Sequence, residues 1–493
     1  MLCAGICGRY TFCSLNSRRE RRIIMEGITI NHIVTITGGK LLCGDGTKEI
    51  KEVSVEFCQG DEDSIFVPIV GENEDGHHFI EEALRVNGAT FTQEHDAPIA
   101  GYEDKPWVRV DDTIKAIQQV GTYNRNQMKM PVIAVTGSVG KTTTREMIAE
   151  ALSVGKNVLQ TIGNQNNQVG VPLTLSHMTR NHEAAVLEAG MNGRGQIEVL
   201  TRMIRPDIAV VTTIGVSHLA QLGSQEEICA EKMDIVKGLP DDGLVFLNGD
   251  DPFLIPYREK LDKKILYYGM DADCDYRAED IRTRDCRTSF LFCCNKAAGK
   301  KIPVTLGTMG EHNVRNALAA LGICHQMGID VEKAAERLYY FRGQRQQIIP
   351  TSRCTLIDDT YNASPDSMKA SIRVLASMEG VKGRRIAGLA DMLELGENEK
   401  AYHYEVGAFI AAQPVDEVAV YGELSKEIIR GVEENSTKLA VPKCRHFDSR
   451  DELKEYLLSV IQPEDVLLLK GSNGMEMKEI SEEIQKKASY SGS

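Results

Sequence analysis

The chain has 493 residues, of which 42% are hydrophobic and 26% are charged. This length exceeds what one hydrophobic core supports, and ordinary domain sizes predict about three domains. Lysine and arginine total 57 against 71 aspartate and glutamate residues, so the formal net charge is -14. An acidic chain is poorly suited to non-specific binding of nucleic acid or anionic membranes, and any phosphate recognition should therefore be local.

The cysteines and the hydropathy pattern indicate a compartment. The thirteen cysteines are scattered, with no CxxC pair, and predict neither a structural zinc site nor a disulfide framework. A reducing cytoplasm is the simplest expectation. No apolar run approaches the roughly 20 residues needed to cross a bilayer, so stable membrane insertion is not expected.

Residues 1–24 are expected to be an upstream extension, with Met25 as the natural start. Their apolar part is short and interrupted, and the positive charges follow it, which is not the order of a secretory signal. A start at Met1 is the alternative, and the intact mass of the native protein distinguishes the two.

Hydrophobic patterning predicts an α/β organisation throughout the chain. In residues 25–128, short strands and one helix, as in SIFVPIVG and GHHFIEEALRVNGA, predict a small α/β module. Residues 129–342 begin with the buried strand PVIAVT and the helix KTTTREMIAEALS, and continue with strands in AAVLEA, IAVVTTI and GLVFLN. Strands alternating with helices predict a parallel sheet covered on both faces. A polar hairpin is expected between Tyr276 and Cys294, followed by an amphipathic helix.

The alternation restarts in residues 343–493. Strands are predicted in TLIDDTY, RRIAGLA, EVAVYG, KCRHF and DVLLLKG, each followed by a helix. This pattern predicts a second doubly wound unit of ordinary domain size, with the hinge near Gly343.

The stretch TGSVGKTTT, placed between a buried strand and a helix, predicts a phosphate-binding loop. Its two glycines let backbone N–H groups approach phosphate oxygens at the positive end of the following helix. Lys141 would contact the outer phosphates, and the Thr142 hydroxyl would bind magnesium. Val135 stands where the general motif has glycine, so the loop has the tighter TGxxGKT form. The nucleotide-contacting positions are Gly137, Ser138, Val139, Gly140, Lys141, Thr142 and Thr143.

Three residues outside the loop are candidates for metal or phosphate chemistry. Glu188 closes the strand AAVLEA, where a phosphate-binding loop requires an acidic partner for its metal. His218 follows another strand, and Lys232 lies in a helical stretch. Each has an ordinary alternative: a solvated carboxylate, a packed histidine and an exposed lysine.

Polar clusters mark further candidates. GNQNNQVG, LNGDDP and GEHNVRN concentrate asparagines, which suit nucleotide or peptide recognition but are also common in turns. Asp358 and Asp359 end the first strand of the last unit, at the edge where doubly wound sheets bind ligands.

Taken together in this order, the motifs resemble those of the Mur ligase family, the ATP-dependent amino-acid ligases of peptidoglycan precursor synthesis. The resemblance extends from about Ile28 to Ile480 and is most specific in TGSVGKTTT, GNQNNQVGVPLTL, GEHNVRNALAA, DDTYNASPDSM and ADMLELG. NNQVGVPLTL, DDTYNASPDSM and DMLELG are similar to members that add D-alanyl-D-alanine to the UDP-N-acetylmuramoyl tripeptide. The Asp-Asn-Pro-Arg motif of the members that add meso-diaminopimelate is absent from the sequence.

The resemblance implies three α/β domains: a UDP-sugar-binding domain, a central P-loop ATPase domain and a C-terminal Rossmann-like ligase domain. It implies ATP and Mg²⁺ as cofactors, small-molecule substrates, a cytoplasmic monomer and no nucleic-acid partner. The implied catalytic residues are Lys141, Lys232 and His218. The implied metal ligands are Thr142, Glu188, His218 and, if carbamylated, Lys232. Implied nucleotide contacts beyond the loop are Asn248, His312, Asn313 and Arg345. Implied substrate contacts are Asn166, Asn167, Asp359, Tyr361 and Asn362.

The implied reaction proceeds through an acyl phosphate, which the dipeptide amine then attacks. Several substrate motifs depart from the family pattern: a Ser-Arg pair before SIFVPIVG is missing, and Gly193, Ala390 and Asn473 replace an Asn-His pair, a glycine and an arginine. A divergent family member with another acceptor is therefore an alternative. A P-loop switch or binding module is a third possibility, although the Asn-Lys pair at Asn295 lacks the aspartate of a guanine-binding motif.

Overall fold

The computed structural model describes residues 25–71, 74–294, 301–437 and 441–489. The expected extension, residues 1–24, and the Asn295–Lys296 pair lie outside the described residues. The chain divides into two compact units, of which the second contains Asp111–Ser176 and Arg180 onward.

The first unit comprises the chain up to Val110 together with His177–Thr179. Its helices and strands are α1 Ile30–Thr37, β1 Lys40–Cys43, β2 Glu52–Ser54, β3 Ser64–Phe66, α2 Ile80–Leu84, β4 Ala89–Thr92 and β5 Trp107–Arg109. The sheet has the order β1-β5-β4-β3-β2, in which β1 runs antiparallel to β5 and the other pairs are parallel. Phe66 and Trp107 anchor a small core against α2. The small α/β module predicted for this region is present.

The second unit contains two sheets, and the first of them carries the phosphate-binding loop. Its elements are α3 Thr113–Asn126, β6 Val132–Thr136, α4 Lys141–Leu152, β7 Val158–Gln160, α5 Gly170–Ser176, β8 Ala184–Glu188, α6 Gln196–Ile204, β9 Ile208–Val211, α7 Leu219–Leu222, α8 Gln225–Met233, β10 Leu244–Asn248, α9 Tyr257–Lys260, β11 Lys264–Gly269, β12 Tyr276–Arg284, β13 Arg287–Cys294, β14 Lys301–Leu306, α10 Glu311–Gln326 and α11 Val331–Tyr340. The strand order is β14-β13-β12-β11-β10-β9-β6-β8-β7.

This nine-stranded sheet is parallel from β7 to β12 and antiparallel at β12-β13-β14. Strands β6, β8 and β9 are buried at every position, as expected of the central strands of a parallel sheet covered on both faces. The predicted polar hairpin is β12 and β13, which turn through Asp285 and Cys286 with positive φ angles. The parallel sheet predicted from the strand and helix alternation is confirmed.

The second sheet of this unit follows the linker at Gly343. Its elements are β15 Gln347–Pro350, β16 Thr355–Asp359, α12 Pro365–Ser377, β17 Arg385–Ala390, α13 Glu399–Ala411, β18 Glu417–Tyr421, α14 Lys426–Asn435, β19 Lys443–Phe447, α15 Arg450–Val460, β20 Val466–Lys470 and α16 Lys478–Ser489. The strand order is β15-β16-β20-β17-β18-β19, parallel except at β15. Each strand and helix predicted for residues 343–493 is present, and α12 begins with Ser364 in a capping box and Pro365 in the first turn.

The boundary expected at residue 128 differs from the end of the first compact unit at Val110. Helix α3 lies between these positions and packs within the second unit. Asn124 on α3 donates to the backbone oxygens of Leu175 and Ser176, and Arg125 donates to that of Ile204. These buried hydrogen bonds tie α3 to the central sheet's helices. The three predicted boundaries, at 24/25, 128/129 and 342/343, stay predictions.

No helix among the described residues has the length and apolar character needed to cross a membrane.

Candidate active site

The phosphate-binding loop leaves β6 and enters α4 with the geometry that the sequence predicts. A Cβ atom on Gly137 would lie 1.8 Å from Thr212 Oγ1, so no larger residue fits there. Gly140 caps α4 with a φ of 89°, which favours glycine, and no side chain caps the first turn. The N-terminus of α4 therefore keeps its backbone donors for an anion. Lys141 Nζ donates to Gly137 O at 2.9 Å and holds the loop closed.

Glu188 accepts a hydrogen bond from the hydroxyl of Thr142 in the phosphate-binding loop. Strands β6 and β8 are parallel neighbours with Val135 opposite Glu188, so the carboxylate lies at the same sheet edge as the loop. Thr142 Oγ1 donates to Glu188 Oε2 at 2.9 Å, and Asn166 Nδ2 donates to Oε1 at 2.8 Å. The carboxylate is 1% exposed. A hydroxyl and a carboxylate oxygen at this distance form a suitable start of a magnesium site.

His218 and Lys232 complete the charged group. His218 has a φ of 65° before the short helix α7, and its ring Nδ1 is buried and makes no hydrogen bond, although Glu394 Oε2 lies 3.4 Å from it. Burial, followed by the charges of Lys232 and Lys141, lowers the pKa of His218 to about 4. Its imidazole is therefore neutral at pH 7, as a metal ligand must be.

Lys232 lies on α8 and is 1% exposed, although a helical lysine is ordinarily solvated. Burial, followed by the nearby charge of Lys141, lowers the pKa of Lys232 well below its usual value. A neutral amine is nucleophilic, and this is the form that combines with carbon dioxide. The structure thus brings Lys141, Glu188 and Lys232 into mutual electrostatic range, and His218 into range of both lysines.

The expected adenosine contacts lie on β10 and α10. Asn248 ends β10 and donates to Thr213 Oγ1 at 3.5 Å. Asn313, on the first turn of α10, donates to Met309 O and accepts from Asn316 Nδ2. His312 Nε2 lies 3.0 Å from Gln346 Oε1 of the linker.

The C-terminal loop takes part in two contacts, a cation–π contact and a buried ion pair. The Arg345 guanidinium carbon lies 3.0 Å from the centre of the Tyr361 ring, a cation–π arrangement. Asp359 Oδ2 accepts from Lys470 Nζ at 2.6 Å. The same amine donates to Asn362 O at 2.9 Å, so it holds both ends of the loop.

Asn167 differs from its neighbour Asn166. Its side-chain oxygen accepts from the backbone N–H groups of Val169 and Gly170 at the start of α5. This is the ordinary capping role of asparagine. The substrate role predicted for Asn167 therefore stays a prediction, alongside a structural role that the geometry shows.

Several residues at the site were not selected from the sequence. Asn316 Oδ1 accepts from Thr144 Oγ1 at 3.0 Å and links α10 to α4. Arg145 Nε lies 3.8 Å from Glu188 Oε2, and Glu146 accepts from the backbone N–H of Gln344 in the linker. Charged residues inside an amphipathic helix ordinarily lie on its solvated face. Their burial depends on the neighbouring strand and linker, which local patterning does not report.

One contact at the site joins the two sheets of the second unit. Glu394 Oε2, in the ADMLELG loop, lies 3.4 Å from His218 Nδ1. Glu394 has a φ of 64°, which is unfavourable for a residue with a side chain. Its spacing in the sequence carries no signal of this contact, because its partner lies on another sheet.

The residues fit a nucleotide and a divalent cation. The Gly137 cradle would be filled by any Cβ, the first turn of α4 is uncapped, and His218 Nδ1 is buried without a hydrogen bond, 3.4 Å from Glu394 Oε2. The donor set of hydroxyl, carboxylate and neutral imidazole suits a divalent metal.

Comparison with known proteins identifies a family and relatives that this chain resembles. Residues 135–324 match the Mur ligase middle domain, and residues 344–473 match the Mur ligase, glutamate ligase domain. The chain is similar to the UDP-N-acetylmuramoyl-tripeptide--D-alanyl-D-alanine ligase of Bacillus subtilis (strain 168), at 36% identity over 88% of this chain and 93% of the relative.

Two solved structures share the architecture. A crystal structure of MurF from Acinetobacter baumannii has a TM-score of 0.82 and 27% identity, covering 93% of this chain and 98% of that one. A crystal structure of MurF ligase from Thermotoga maritima, in complex with ADP, has a TM-score of 0.76 and 25% identity, covering 90% and 98%. The three-domain α/β fold expected from the sequence is confirmed.

Proposed function

This chain belongs to the Mur ligase family, and from that premise we propose that it joins D-alanyl-D-alanine to the UDP-N-acetylmuramoyl tripeptide at the expense of ATP. The observation that carries the proposal is the likeness to the Bacillus subtilis ligase over 88% of the chain. The P-loop geometry supports it, because Lys141, Glu188 and Lys232 lie within electrostatic range of one another at the loop where the outer phosphates of ATP would bind. The products would be the pentapeptide, ADP and phosphate.

The first chemical step activates the donor carboxylate. A carboxylate oxygen attacks the γ-phosphorus of ATP, and the bond from that phosphorus to the ADP oxygen breaks, which gives an acyl phosphate and ADP. Negative charge builds on the transferred phosphoryl group during this step. Lys141 and the uncapped N-terminus of α4 are preorganised to stabilise that charge.

The second step forms the amide. The neutral amine of D-alanyl-D-alanine attacks the acyl carbon, the bond from carbon to the phosphate oxygen breaks, and the amine loses a proton. Phosphate leaves with one oxygen of the original carboxylate. Since acyl phosphates hydrolyse, the site should exclude water, and a hinge near Gly343, whose φ is 65°, would allow the C-terminal sheet to close over it.

Magnesium would be held by Thr142, Glu188, His218 and carbamylated Lys232, and it would supply a positive charge that offsets the phosphate oxygens. Carbamylation adds the neutral Lys232 amine to carbon dioxide with loss of a proton, which replaces a buried amine by a carboxylate ligand. Burial of the amine supports this assignment. The roles of Asn248, His312, Asn313 and Arg345 toward the nucleotide belong to the same proposal.

The substrate contacts belong to it as well. Asn166 contacts Glu188 directly, while Asp359, Tyr361 and Asn362 lie on the loop that would approach the reacting centre. We further propose the domain bounds 25–128, 129–342 and 343–493, a cytoplasmic location and a monomer, with no nucleic-acid partner.

One experiment tests the reaction. The purified chain is incubated with UDP-N-acetylmuramoyl tripeptide, D-alanyl-D-alanine and Mg-ATP, and phosphate and pentapeptide are measured together. We expect one phosphate per pentapeptide and no turnover without dipeptide. Phosphate release that ignores the dipeptide, with no pentapeptide formed, would contradict the proposal.

A related ligase with another acceptor is the second candidate. The observation that favours it is the departure of Gly193, Ala390 and Asn473 from the family pattern, while the P-loop and Lys232 are kept. A screen of amino acids and dipeptides as acceptors separates the two candidates, since the second predicts turnover with a different amine. Membership of the Mur ligase family does not favour the third possibility, a P-loop switch.

A further inference from the structure

The linker between the two sheets of the second unit contains a strained residue, Gln346. Its φ is 51°, in the left-handed region that residues with a side chain rarely adopt. Gly343, three residues earlier, has a similar φ of 65° at no steric cost. A glutamine in this conformation persists only where its contacts hold it there.

Those contacts come from both ends of the Gln346 side-chain amide. Its Oε1 lies 3.0 Å from His312 Nε2 on α10, and its Nε2 donates to Ser371 Oγ on α12 at 3.3 Å. Helix α10 packs on the central sheet, and α12 packs on the C-terminal sheet. One amide therefore spans the two sheets at the point where the chain passes between them.

The hydrogen bonds continue from Ser371 to the ion pair of the C-terminal loop. Ser371 Oγ donates to Asp359 Oδ2 at 2.6 Å, and the same carboxylate oxygen accepts from Lys470 Nζ at 2.6 Å. Asp359 is thus linked to His312 through two side chains, although the two residues lie on different sheets.

The donor and acceptor chemistry gives every hydrogen bond in this series the same direction, from His312 towards Asp359. Because the Ser371 hydroxyl donates to a carboxylate, its oxygen accepts from the Gln346 amide N–H, and Gln346 Oε1 accepts from His312. Burial lowers the pKa of His312 to about 4, so its ring is neutral at pH 7 and carries a single N–H, directed at Gln346. Hydrogen bonds aligned in this way polarise one another.

We propose that Gln346 is a positioning residue that couples nucleotide binding at His312 to the placement of Asp359. The inference rests on the proposed function, which places His312 beside the adenine and Asp359 on the loop that approaches the reacting centre. A shift of α10 on nucleotide binding is transmitted to Asp359 through the amide. Gln346 contributes to turnover by holding this loop, without contact to the reacting atoms.

The test compares two leucine substitutions in the same linker. Gln346→Leu removes both hydrogen bonds at nearly constant volume. Gln347→Leu is the matched control, because Gln347 is the adjacent, exposed glutamine and its amide donates only to Gly343 O among the contacts of the described residues. Gln346→Gly is the second variant, which suits the left-handed backbone and so folds while lacking the amide.

Four quantities are measured for each protein: the dissociation constant of ADP, the hydrogen exchange of residues 358–364 with and without ADP, kcat, and the KM for ATP. In the wild type, we expect ADP to slow exchange in this segment. In Gln346→Leu and Gln346→Gly we expect ADP affinity and the KM for ATP within about threefold of wild type, from the intact P-loop. The factor by which ADP slows exchange should decrease about tenfold, and kcat should also fall about tenfold. The loss of two hydrogen bonds predicts changes of this size.

A double-mutant cycle with Ser371→Ala distinguishes a relay from separate structural effects. If Gln346 and Ser371 act in the same series of hydrogen bonds, the double variant loses no more of the ADP response than either single variant. Additive losses would contradict the relay.

The outcomes separate this inference from the proposed function. A wild-type ADP response in both Gln346 variants, or an equal loss in Gln347→Leu, overturns the inference even if the wild-type enzyme makes pentapeptide. A wild type that makes no pentapeptide, but whose ADP response depends on Gln346, overturns the proposed function and leaves the coupling in place.

Discussion

The two parallel sheets of the second unit each place a lysine and a carboxylate at their carboxyl edges, but they use them differently. At the central sheet, Lys141 donates to backbone oxygens of its own loop, and Glu188 accepts from the neutral groups of Thr142 and Asn166. At the C-terminal sheet, Lys470 and Asp359 pair directly at 2.6 Å. Lys141 has no carboxylate within ion-pair distance among the described residues, and Glu188 has Arg145 Nε at 3.8 Å, whereas Lys470 and Asp359 neutralise each other directly.

Under the proposed function, this difference predicts that the central edge performs the phosphate chemistry and that the C-terminal edge supports it. A preorganised charge that is not neutralised by the protein stabilises charge that develops in a substrate. A buried pair that is already neutralised holds its loop in place, and breaking it leaves an uncompensated charge. Substitutions at the central edge should therefore affect turnover, and substitutions at the C-terminal edge should first affect stability.

Lys141→Ala should give the largest effect. Removing the amine takes away the charge that opposes the transferred phosphoryl group, and we expect kcat/KM to fall roughly 10³-fold, the upper range for loss of one preorganised donor. The melting temperature should change little, since within the described residues the Lys141 amine donates hydrogen bonds only to backbone oxygens of its own loop. Lys129→Ala, at an exposed lysine just before β6, is the control. Near-normal turnover in Lys141→Ala would remove the distinction between the two edges.

Lys470→Ala should act on stability. Lys470 is 2% exposed and Asp359 is 12% exposed, so the variant leaves a largely buried carboxylate without its cation. We expect the free energy of unfolding to fall by about 3 kcal/mol, measured by denaturant or thermal unfolding. Lys382→Ala removes a surface pair with Glu464 in which both side chains are mostly exposed, and it should cost less than about 1 kcal/mol. Equal losses in the free energy of unfolding of the two variants would show that the ion pair of Lys470 and Asp359 stabilises the fold no more than a surface pair does.

His403→Gln should give the smallest effect and a pH dependence. His403 Nε2 accepts from the Met392 backbone N–H in the ADMLELG loop, and Nδ1 lies 2.7 Å from Glu399 O. Burial lowers the pKa of His403 below the usual 6.5, despite the opposing hydrogen bond to Glu399. The unfolded chain therefore binds a proton at higher pH than the folded one. The stabilisation is complete above pH 6.5 and is lost as the pH falls from 6.5 through the lower folded pKa.

Melting temperatures measured from pH 7.5 to pH 5 check this sign. The wild type should lose stability over that interval, and His403→Gln should be about 1 kcal/mol less stable at pH 7.5 but vary less with pH. His78→Gln, at an exposed histidine, should retain the wild-type profile. A His403→Gln profile parallel to the wild type would contradict the assignment.

The two edges also differ in how far sequence predicted them. The P-loop, the strand that ends in Glu188 and the C-terminal alternation of strands and helices follow from local patterns, and the structure contains them. Sequence patterns also located His218 and Lys232, but the roles of both came from the family resemblance. Their burial depends on α7 and α8 packing beside the P-loop, which periodicity does not report.

The C-terminal edge was less predictable. Lys470 follows a buried strand and carries no local sign that its partner is Asp359, which lies 111 residues earlier. The strand order that makes β16 and β20 neighbours is a non-local property. Gln346 lies in a turn-like segment whose composition predicts only a loop, and its bridging role depends on two helices from different sheets.

The central claim, that the P-loop activates a carboxylate as an acyl phosphate, is tested most directly by oxygen transfer. The donor tripeptide is labelled with ¹⁸O in its terminal carboxylate and turned over with Mg-ATP and D-alanyl-D-alanine, and the released phosphate is analysed by mass spectrometry. The account predicts one ¹⁸O atom in phosphate for each pentapeptide formed, because the bond from the acyl carbon to the phosphate oxygen breaks. Pentapeptide formed with unlabelled phosphate would contradict it.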